Sequence, residues 1–119
     1  MSPRRKSTGK NRPLQTYAPV FAALGDEMRL RLVAALCMGG AMSITQLTSG
    51  TEISRQAITK HLVVLAAAGL VRDVKLGRER LWEFEPTQLD EARRSLELIG
   101  QQWDHALAKL KLAVESDST

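Results

Sequence analysis

The clearest pattern of hydrophobic and polar positions lies in residues 53–71, which predict one helix with two well-defined ends. Its apolar positions recur at helical spacing and are Ile58, Leu62, Leu65 and Ala66. Ser54 is a suitable N-cap, because its hydroxyl can accept a hydrogen bond from a free amide of the first turn. Gly69 fits the left-handed residue that commonly ends a helix. The opposite face is polar and carries Arg55, Gln56, Thr59, Lys60 and His61.

Two helices are predicted upstream of this segment. The first covers about residues 16–25. Asp26 is a good N-cap for the second, which covers about residues 27–38. The second helix is predicted to bury a wide apolar face made of Leu30, Leu32, Val33, Leu36 and Cys37.

A short third helix is predicted directly before residues 53–71. Ser43 is its N-cap and Gln46 lies three residues later, so the two side chains can form a capping box. Residues 49–52 contain a glycine and form the turn that follows. Two capped helices joined by such a turn predict a helix-turn-helix. The donor-rich face of the second helix suits the base edges and phosphates of DNA.

Two short strands are predicted next, at residues 70–75 and 80–85, with a glycine in the connection between them. An isolated hairpin is marginally stable, so Trp82 or Phe84 is expected to pack on the helices. The basic side chains near the tip are Lys75, Arg78 and Arg80. A basic hairpin directly after a recognition helix predicts the wing of a winged helix, with its tip near the DNA backbone.

Pro86 ends the second strand, and one long helix is predicted to follow it. Apolar residues recur along this helix in steps of three and four for about three heptads. Such a seam needs a helical partner, and the core already has helices to fill its centre. We therefore expect the first and last helices to pair with those of a second copy. The residues predicted at this dimer interface are Leu89, Leu96, Ile99, Trp103 and Leu110.

Together these elements predict a mainly α fold with a small β-hairpin, dimerising through its first and last helices. The 119 residues suggest one domain. Within it we expect a winged helix-turn-helix core at 14–86, a C-terminal dimerisation helix at 87–115, a disordered basic tail at 1–13 and a disordered end at 116–119.

The net charge of +4 is unevenly distributed. Residues 1–12 hold five basic and no acidic side chains, which leaves 12 basic and 13 acidic residues, or −1, for residues 13–119. Residues 52–82 hold six basic and three acidic side chains, or +3. The positive charge of the predicted fold is therefore local to the recognition helix and the wing, as a DNA-binding face requires. The basic tail is either a solubilising extension or an arm that contacts DNA.

Three motifs carry a resemblance to a known family. They are Asp26-Glu-Met-Arg-Leu-Arg-Leu in the second helix, residues 54–71, and Gly77-Arg-Glu-Arg-Leu-Trp in the wing. In their order and spacing, over about residues 16–113, the chain resembles the ArsR/SmtB family of bacterial transcription regulators. The resemblance implies a homodimeric winged helix that binds palindromic operator DNA and usually represses transcription. The predicted DNA contacts are Ser54, Arg55, Gln56, Thr59, Lys60, His61, Lys75, Arg78 and Arg80.

The chain departs from this family in its metal-binding motifs. Metal-binding members carry a Cys-x-Cys type motif in the short helix before the turn, whereas residues 43–50 contain no thiol. Other members bind zinc through His and acidic residues of the last helix, which here offers only the adjacent Asp104 and His105. With one Cys and two His in the chain, we expect no metal site and no cofactor. The sequence leaves open whether the chain binds a small-molecule effector.

Other classes of protein are less consistent with the sequence. A single cysteine suits a reducing cytoplasm, and Cys37 on an apolar helix face is more often a small core residue than a thiol sensor. We expect no transmembrane helix and no secretory signal. Because no phosphate-binding loop or nucleophile motif is present, we expect a regulator and not an enzyme. The alternatives are a winged-helix protein-interaction module and a redox-responsive regulator that acts through Cys37.

Overall fold

The computed structural model describes residues 12–117, and within them the predicted order of helices and strands is confirmed. A 3₁₀ turn at Leu14–Tyr17 opens the first predicted helix. The remaining elements in chain order are α1 Ala18–Leu24, α2 Glu27–Gly39, α3 Ile44–Thr48, α4 Arg55–Ala67, β1 Val71–Leu76, β2 Glu79–Phe84 and α5 Pro86–Asp117. The disorder predicted for residues 1–11 concerns residues outside the described part.

Side chains cap the helices where the sequence predicts them. Asp26 accepts hydrogen bonds from two backbone amides of the first turn of α2, at 2.9 and 3.2 Å. Ser43 and Gln46 form the capping box of α3, with bonds of 3.1 and 2.8 Å. The Ser54 hydroxyl accepts from the amide of Ala57 at 3.1 Å. Each bond satisfies an amide that has no partner inside its helix.

Gly69 ends the recognition helix α4 with a left-handed residue, as predicted. Its φ is 79°, its amide donates to the carbonyl of Ala66 at 2.9 Å, and the Leu70 amide donates to the carbonyl of Leu65 at 2.9 Å. These two bonds form a Schellman motif. A Cβ at Gly69 would also lie 2.8 Å from Cγ of Gln88, so both the backbone and the packing favour glycine here.

The apolar face of α4 is confirmed, whereas the face predicted for α2 is too wide. The buried apolar residues of these two helices are Leu32, Val33, Leu36, Ile58, Leu62 and Leu65. Leu30 and Cys37 were expected on the buried face of α2, but both are exposed. They are seven residues apart and so share one side of the helix, which is turned about 100° away from the buried stripe. Cys37 is therefore a surface thiol and not a core residue.

The hairpin is tighter than the sequence predicts. Each strand extends one residue further toward the tip, until Leu76 pairs with Glu79, and the connection shrinks to two residues. Gly77 supplies the positive φ, 65°, that such a short loop needs. The structure also adds a bridge that was not predicted. The amide and carbonyl of Met42 bond those of Trp82 at 2.8 and 2.7 Å, and this fastens the wing to the linker between α2 and α3.

The long helix α5 has two parts with different surroundings. In its first turns Leu89 packs against the core, Ala92 is fully buried, and Glu91 accepts a hydrogen bond of 3.1 Å from the hydroxyl of the buried Tyr17. Residues 96–116 are all exposed. The second part therefore extends away from the body of the chain.

The helix also extends further than the sequence predicts. Residues 116 and 117 were expected in a disordered end, but they continue α5, since no glycine or proline interrupts residues 101–117. This projection gives the described part a longest dimension of 72 Å. None of the helices in residues 12–117 is both long and apolar enough to cross a membrane.

Candidate nucleic-acid interface

The N-terminal half of α4 presents a polar surface that is fixed from behind by the core. Its apolar side is buried, so the opposite side is directed outward. Its side chains line a shallow depression on the surface and are Arg55, Gln56, Thr59 and Lys60. Ser54 lies at the start of the same surface, with its hydroxyl engaged as the N-cap. Four of the predicted DNA-binding residues are thus brought together next to a capped helix end.

Two of these side chains are already held by hydrogen bonds. Nη1 of Arg55 donates to the hydroxyl of Thr45 in α3 at 2.8 Å, and the hydroxyl of Thr59 donates to the backbone carbonyl of Arg55 at 2.8 Å. Gln56 and Lys60 have no hydrogen-bond or ion-pair partner within residues 12–117. The amide of Gln56 is therefore free for a base edge and the ammonium of Lys60 for a phosphate. The sequence prediction did not include Thr45, because no local pattern links it to a residue ten positions later.

His61 lies apart from this surface. It is half-buried, and its Nδ1 is 3.3 Å from Nη1 of Arg29 in α2. The predicted contact of His61 with DNA stays a prediction, since the ring is engaged with another helix on at least one of its two nitrogens.

The tip of the wing carries two exposed cations. Lys75 and Arg78 have no ion-pair or hydrogen-bond partner in the part of the chain that the structure describes. Arg78 occupies the two-residue turn together with Gly77. A cation at the end of a hairpin can reach a phosphate without leaving another charge unpaired.

Arg80 also belongs to the predicted wing, but it is paired within the hairpin. Its Nε and Nη2 lie 2.9 and 2.6 Å from one oxygen of Asp73, and its guanidinium lies 5.3 Å from the ring centre of Trp82. Trp82 is the residue that bridges to Met42, so Arg80 covers the point where the wing is attached.

A second arginine of the wing is paired as well. Nε of Arg72 donates to Glu83 at 2.7 Å, and its Nη1 lies 3.5 Å from Glu85. The hydrogen bond to Glu83 raises the pKa of Arg72 above its usual value. Two of the four basic residues of the wing are therefore paired with acidic residues of the hairpin or with Glu85, which follows it.

The exposed part of α5 carries an apolar stripe. The large side chains on this stripe are Leu96, Ile99, Trp103, Leu107, Leu110 and Val114. Trp103 is 63% exposed, which is unusual for so large an apolar side chain. The sequence prediction did not include Leu107 and Val114 in this stripe, because a strict heptad repeat falls on the preceding residues, Ala106 and Ala113. Leu89, which was predicted at the same interface, instead packs partly against its own core.

Potential metal ligands are dispersed. Within residues 12–117 no three His, Cys, Asp or Glu side chains lie close enough together to hold a metal ion. Cys37 is exposed on α2.

Comparisons with known proteins agree with this geometry. A family model described as a helix-turn-helix domain matches residues 24–74. The HTH-type transcriptional regulator Rv2034 of Mycobacterium tuberculosis is 32% identical over 97 residues, which cover 82% of this chain and 87% of that protein. The arsenic resistance transcriptional regulator ArsR1 of Pseudomonas putida is 29% identical over 98 residues, covering 80% and 77%. Among solved structures, an ArsR-like transcriptional regulator from Rhodococcus sp. RHA1 has a TM-score of 0.72 and 43% identity, covering 82% of this chain and 91% of that chain.

Proposed function

We propose a specific function on the premise that the chain belongs to the ArsR family of helix-turn-helix transcriptional regulators. As a member it is a DNA-binding transcriptional regulator with a winged-helix fold. We propose further that it is a homodimeric repressor of a palindromic operator, that it acts in the cytoplasm, and that it has no catalytic activity.

The observation that carries the proposal is the outward polar surface of α4, together with the unpaired cations Lys75 and Arg78 of the wing. In the bound state α4 lies in the major groove. Gln56 and Arg55 contact base edges there, while Lys60, Lys75 and Arg78 contact phosphates. Base contacts specify the sequence, and phosphate contacts set register and affinity. The same surface gives no support to a protein-interaction module, because its side chains are the donor types that bases and phosphates require.

The apolar stripe of α5 supports the dimer. A second copy would cover the stripe of residues 96–114, which the chain itself leaves in water. Two recognition helices would then face two half-sites, with centres about one DNA turn apart, roughly 34–36 Å.

The dimer can be tested separately from DNA binding. Leu96→Glu with Ile99→Glu places two charges on the stripe, and we expect sedimentation of the full chain to show a monomer. Gln101→Glu with Gln102→Glu adds the same charge on the other side of α5 and should leave the dimer intact. A dimeric stripe variant would mean that the interface lies elsewhere.

We propose that the inducing signal is not a soft metal ion. Three relatives have arsenic or arsenical resistance in their names. This chain has a single thiol, and that thiol lies on the surface of α2. A small organic effector stays the first choice. A redox response is the second, favoured only by the exposure of Cys37, and Cys37→Ser tests it because repression should then persist under oxidant.

Sequence-specific DNA binding is tested by selecting bound duplexes from a random pool with the full chain. We expect a palindrome with two half-sites. Enrichment of no sequence, or of a single asymmetric site, would contradict the proposal.

A further inference from the structure

Arg29 lies where three helices meet. Its Nε donates to the carbonyl of Ala23 in the last turn of α1, and its Nη1 lies 3.3 Å from Nδ1 of His61 in α4. Its backbone amide donates to Asp26, the N-cap of α2, and this bond lowers the pKa of the Asp26 carboxyl. The side chain of Arg29 is only 18% exposed. One guanidinium therefore ties the end of α1 to the middle of the recognition helix.

The donors of Arg29 determine which tautomer of His61 this contact requires. A guanidinium has five N–H donors and no acceptor, so Nδ1 of His61 must be the acceptor. A hydrogen bond at this contact therefore requires the tautomer of His61 that carries its proton on Nε2. The contact joins a side chain of α2 directly to a side chain of α4.

We propose that His61 is a positioning residue, through which Arg29 sets the rotation of α4 about its own axis, and that it is not a ligand of DNA. The inference rests on the proposed function, since it explains how the polar surface of α4 is aimed. The buried side chains of Ile58, Leu62 and Leu65 set which side of α4 faces outward, and a hydrogen bond can restrict the remaining rotation further. A hydrogen bond constrains direction.

The rotation matters because base contacts tolerate little displacement. Helical side chains extend about 5–6 Å from the axis, so a rotation of about 10° moves their ends by roughly 1 Å. That is enough to break a bidentate contact from Gln56 to a base. His61 follows Lys60 directly, so fixing the imidazole fixes the adjoining polar residues.

Two substitutions separate this role from direct contact with DNA. In His61→Asn the amide oxygen lies near the place of Nδ1 and can still accept from Arg29. In His61→Gln the amide reaches the place of Nε2 and could still contact a phosphate. Asn is the weaker helix former, so a better performance of the Asn variant could not be attributed to helix propensity.

We expect His61→Asn to keep the ratio of specific to non-specific affinity, and His61→Gln to lower it on the order of tenfold. The salt dependence of binding should be unchanged in both, because no phosphate contact is lost. Arg29→Gln should lower the ratio at least as much as His61→Gln, because it also removes the bond to Ala23, and the double variant should lose no more than Arg29→Gln alone. Additive losses would overturn the inference. So would wild-type specificity in His61→Gln, or a salt slope reduced by about 0.9 in His61→Asn.

The contact itself can be checked without DNA. Nitrogen-15 NMR of the full chain with a neutral His61 ring should show the proton on Nε2 and a hydrogen-bonded, unprotonated Nδ1, and Arg29→Gln should shift the Nδ1 resonance. A proton on Nδ1 would overturn the inference even if the chain binds its operator. Conversely, the predicted tautomer in a chain that selects no DNA sequence would count against the proposed function alone.

Discussion

The recognition helix and the wing form one basic region in the sequence but hold their charges differently. Within the described residues α4 carries two exposed cations, Arg55 and Lys60, and neither is in an ion pair. The wing has four basic side chains. Two of them, Arg72 and Arg80, form ion pairs with acidic residues of the hairpin or with Glu85 directly after it. The two regions therefore offer the same number of unpaired cations, although the formal count of the wing is twice as high.

The difference follows from how each element is stabilised. Caps at both ends and a buried face hold α4, so its outer side chains are free for another task. A two-stranded hairpin is marginal on its own. Its cross-strand ion pairs and the contact of Arg80 with Trp82 help to hold it, at about 0–1 kcal/mol for each exposed pair. Basic residues in the wing thus divide into those that face outward and those that stabilise the hairpin.

The largest effect is expected in the recognition helix. Gln56→Ala should weaken specific binding by about tenfold to a hundredfold, because it removes the proposed bidentate contact to one base. Non-specific affinity should hardly change, since Gln56 carries no charge. Competition titrations with operator and random duplexes measure both. Equal loss of affinity for the two duplexes would mean that Gln56 contacts the DNA backbone. The recognition helix and the wing would then not differ in what they contact.

A smaller effect is expected at the wing tip. Arg78→Ala should lower specific and non-specific affinity together, by roughly fivefold at physiological salt, and reduce the salt slope by about 0.9, because one phosphate contact is lost. Lys109→Ala removes one charge from the exposed part of α5 and serves as the control. Loss of specific binding alone would show that the wing contacts bases.

The smallest effect is expected for the paired arginine of the wing. Arg80→Gln should change affinity by no more than about twofold and leave the salt slope unaltered, since its charge is already neutralised by Asp73. The fluorescence of Trp82 in a variant with Trp103→Phe should shift, because the guanidinium above the ring is gone. Comparison with Arg78→Gln completes the test. A slope reduced as much by Arg80→Gln as by Arg78→Gln would mean that the ion pair opens on DNA.

Local signals were sufficient for most of the fold. The structure confirms the predicted helix caps at Asp26, Ser43 and Ser54 and the predicted helix end at Gly69. Each of these signals lies within three or four residues of the sequence. Helical periodicity also identified the buried face of α4. These features depend on neighbours along the chain and need no knowledge of the tertiary structure.

Long-range packing determined what the sequence did not reveal. The Met42–Trp82 bridge and the contact between Arg29 and His61 join residues far apart in the chain. The exposure of Cys37 depends on which of several apolar stripes of α2 meets the core. For the candidate interface the sequence identified the residues but not their partners. The sequence therefore predicted the same role for Arg78 and Arg80. In the structure the register of the hairpin places Arg80 beside Asp73 and leaves Arg78 in the turn.

We infer above all that α4 supplies specificity through its outward polar surface. Footprinting of the full chain on DNA upstream of its own gene tests this most directly, with the wild type compared with the double variant Arg55→Ala, Gln56→Ala. We predict a protected palindromic site for the wild type and no protection for the variant at the same concentration, while binding to random duplex falls only by about the contribution of one lost charge. Equal protection of the same site by the double variant would contradict the account.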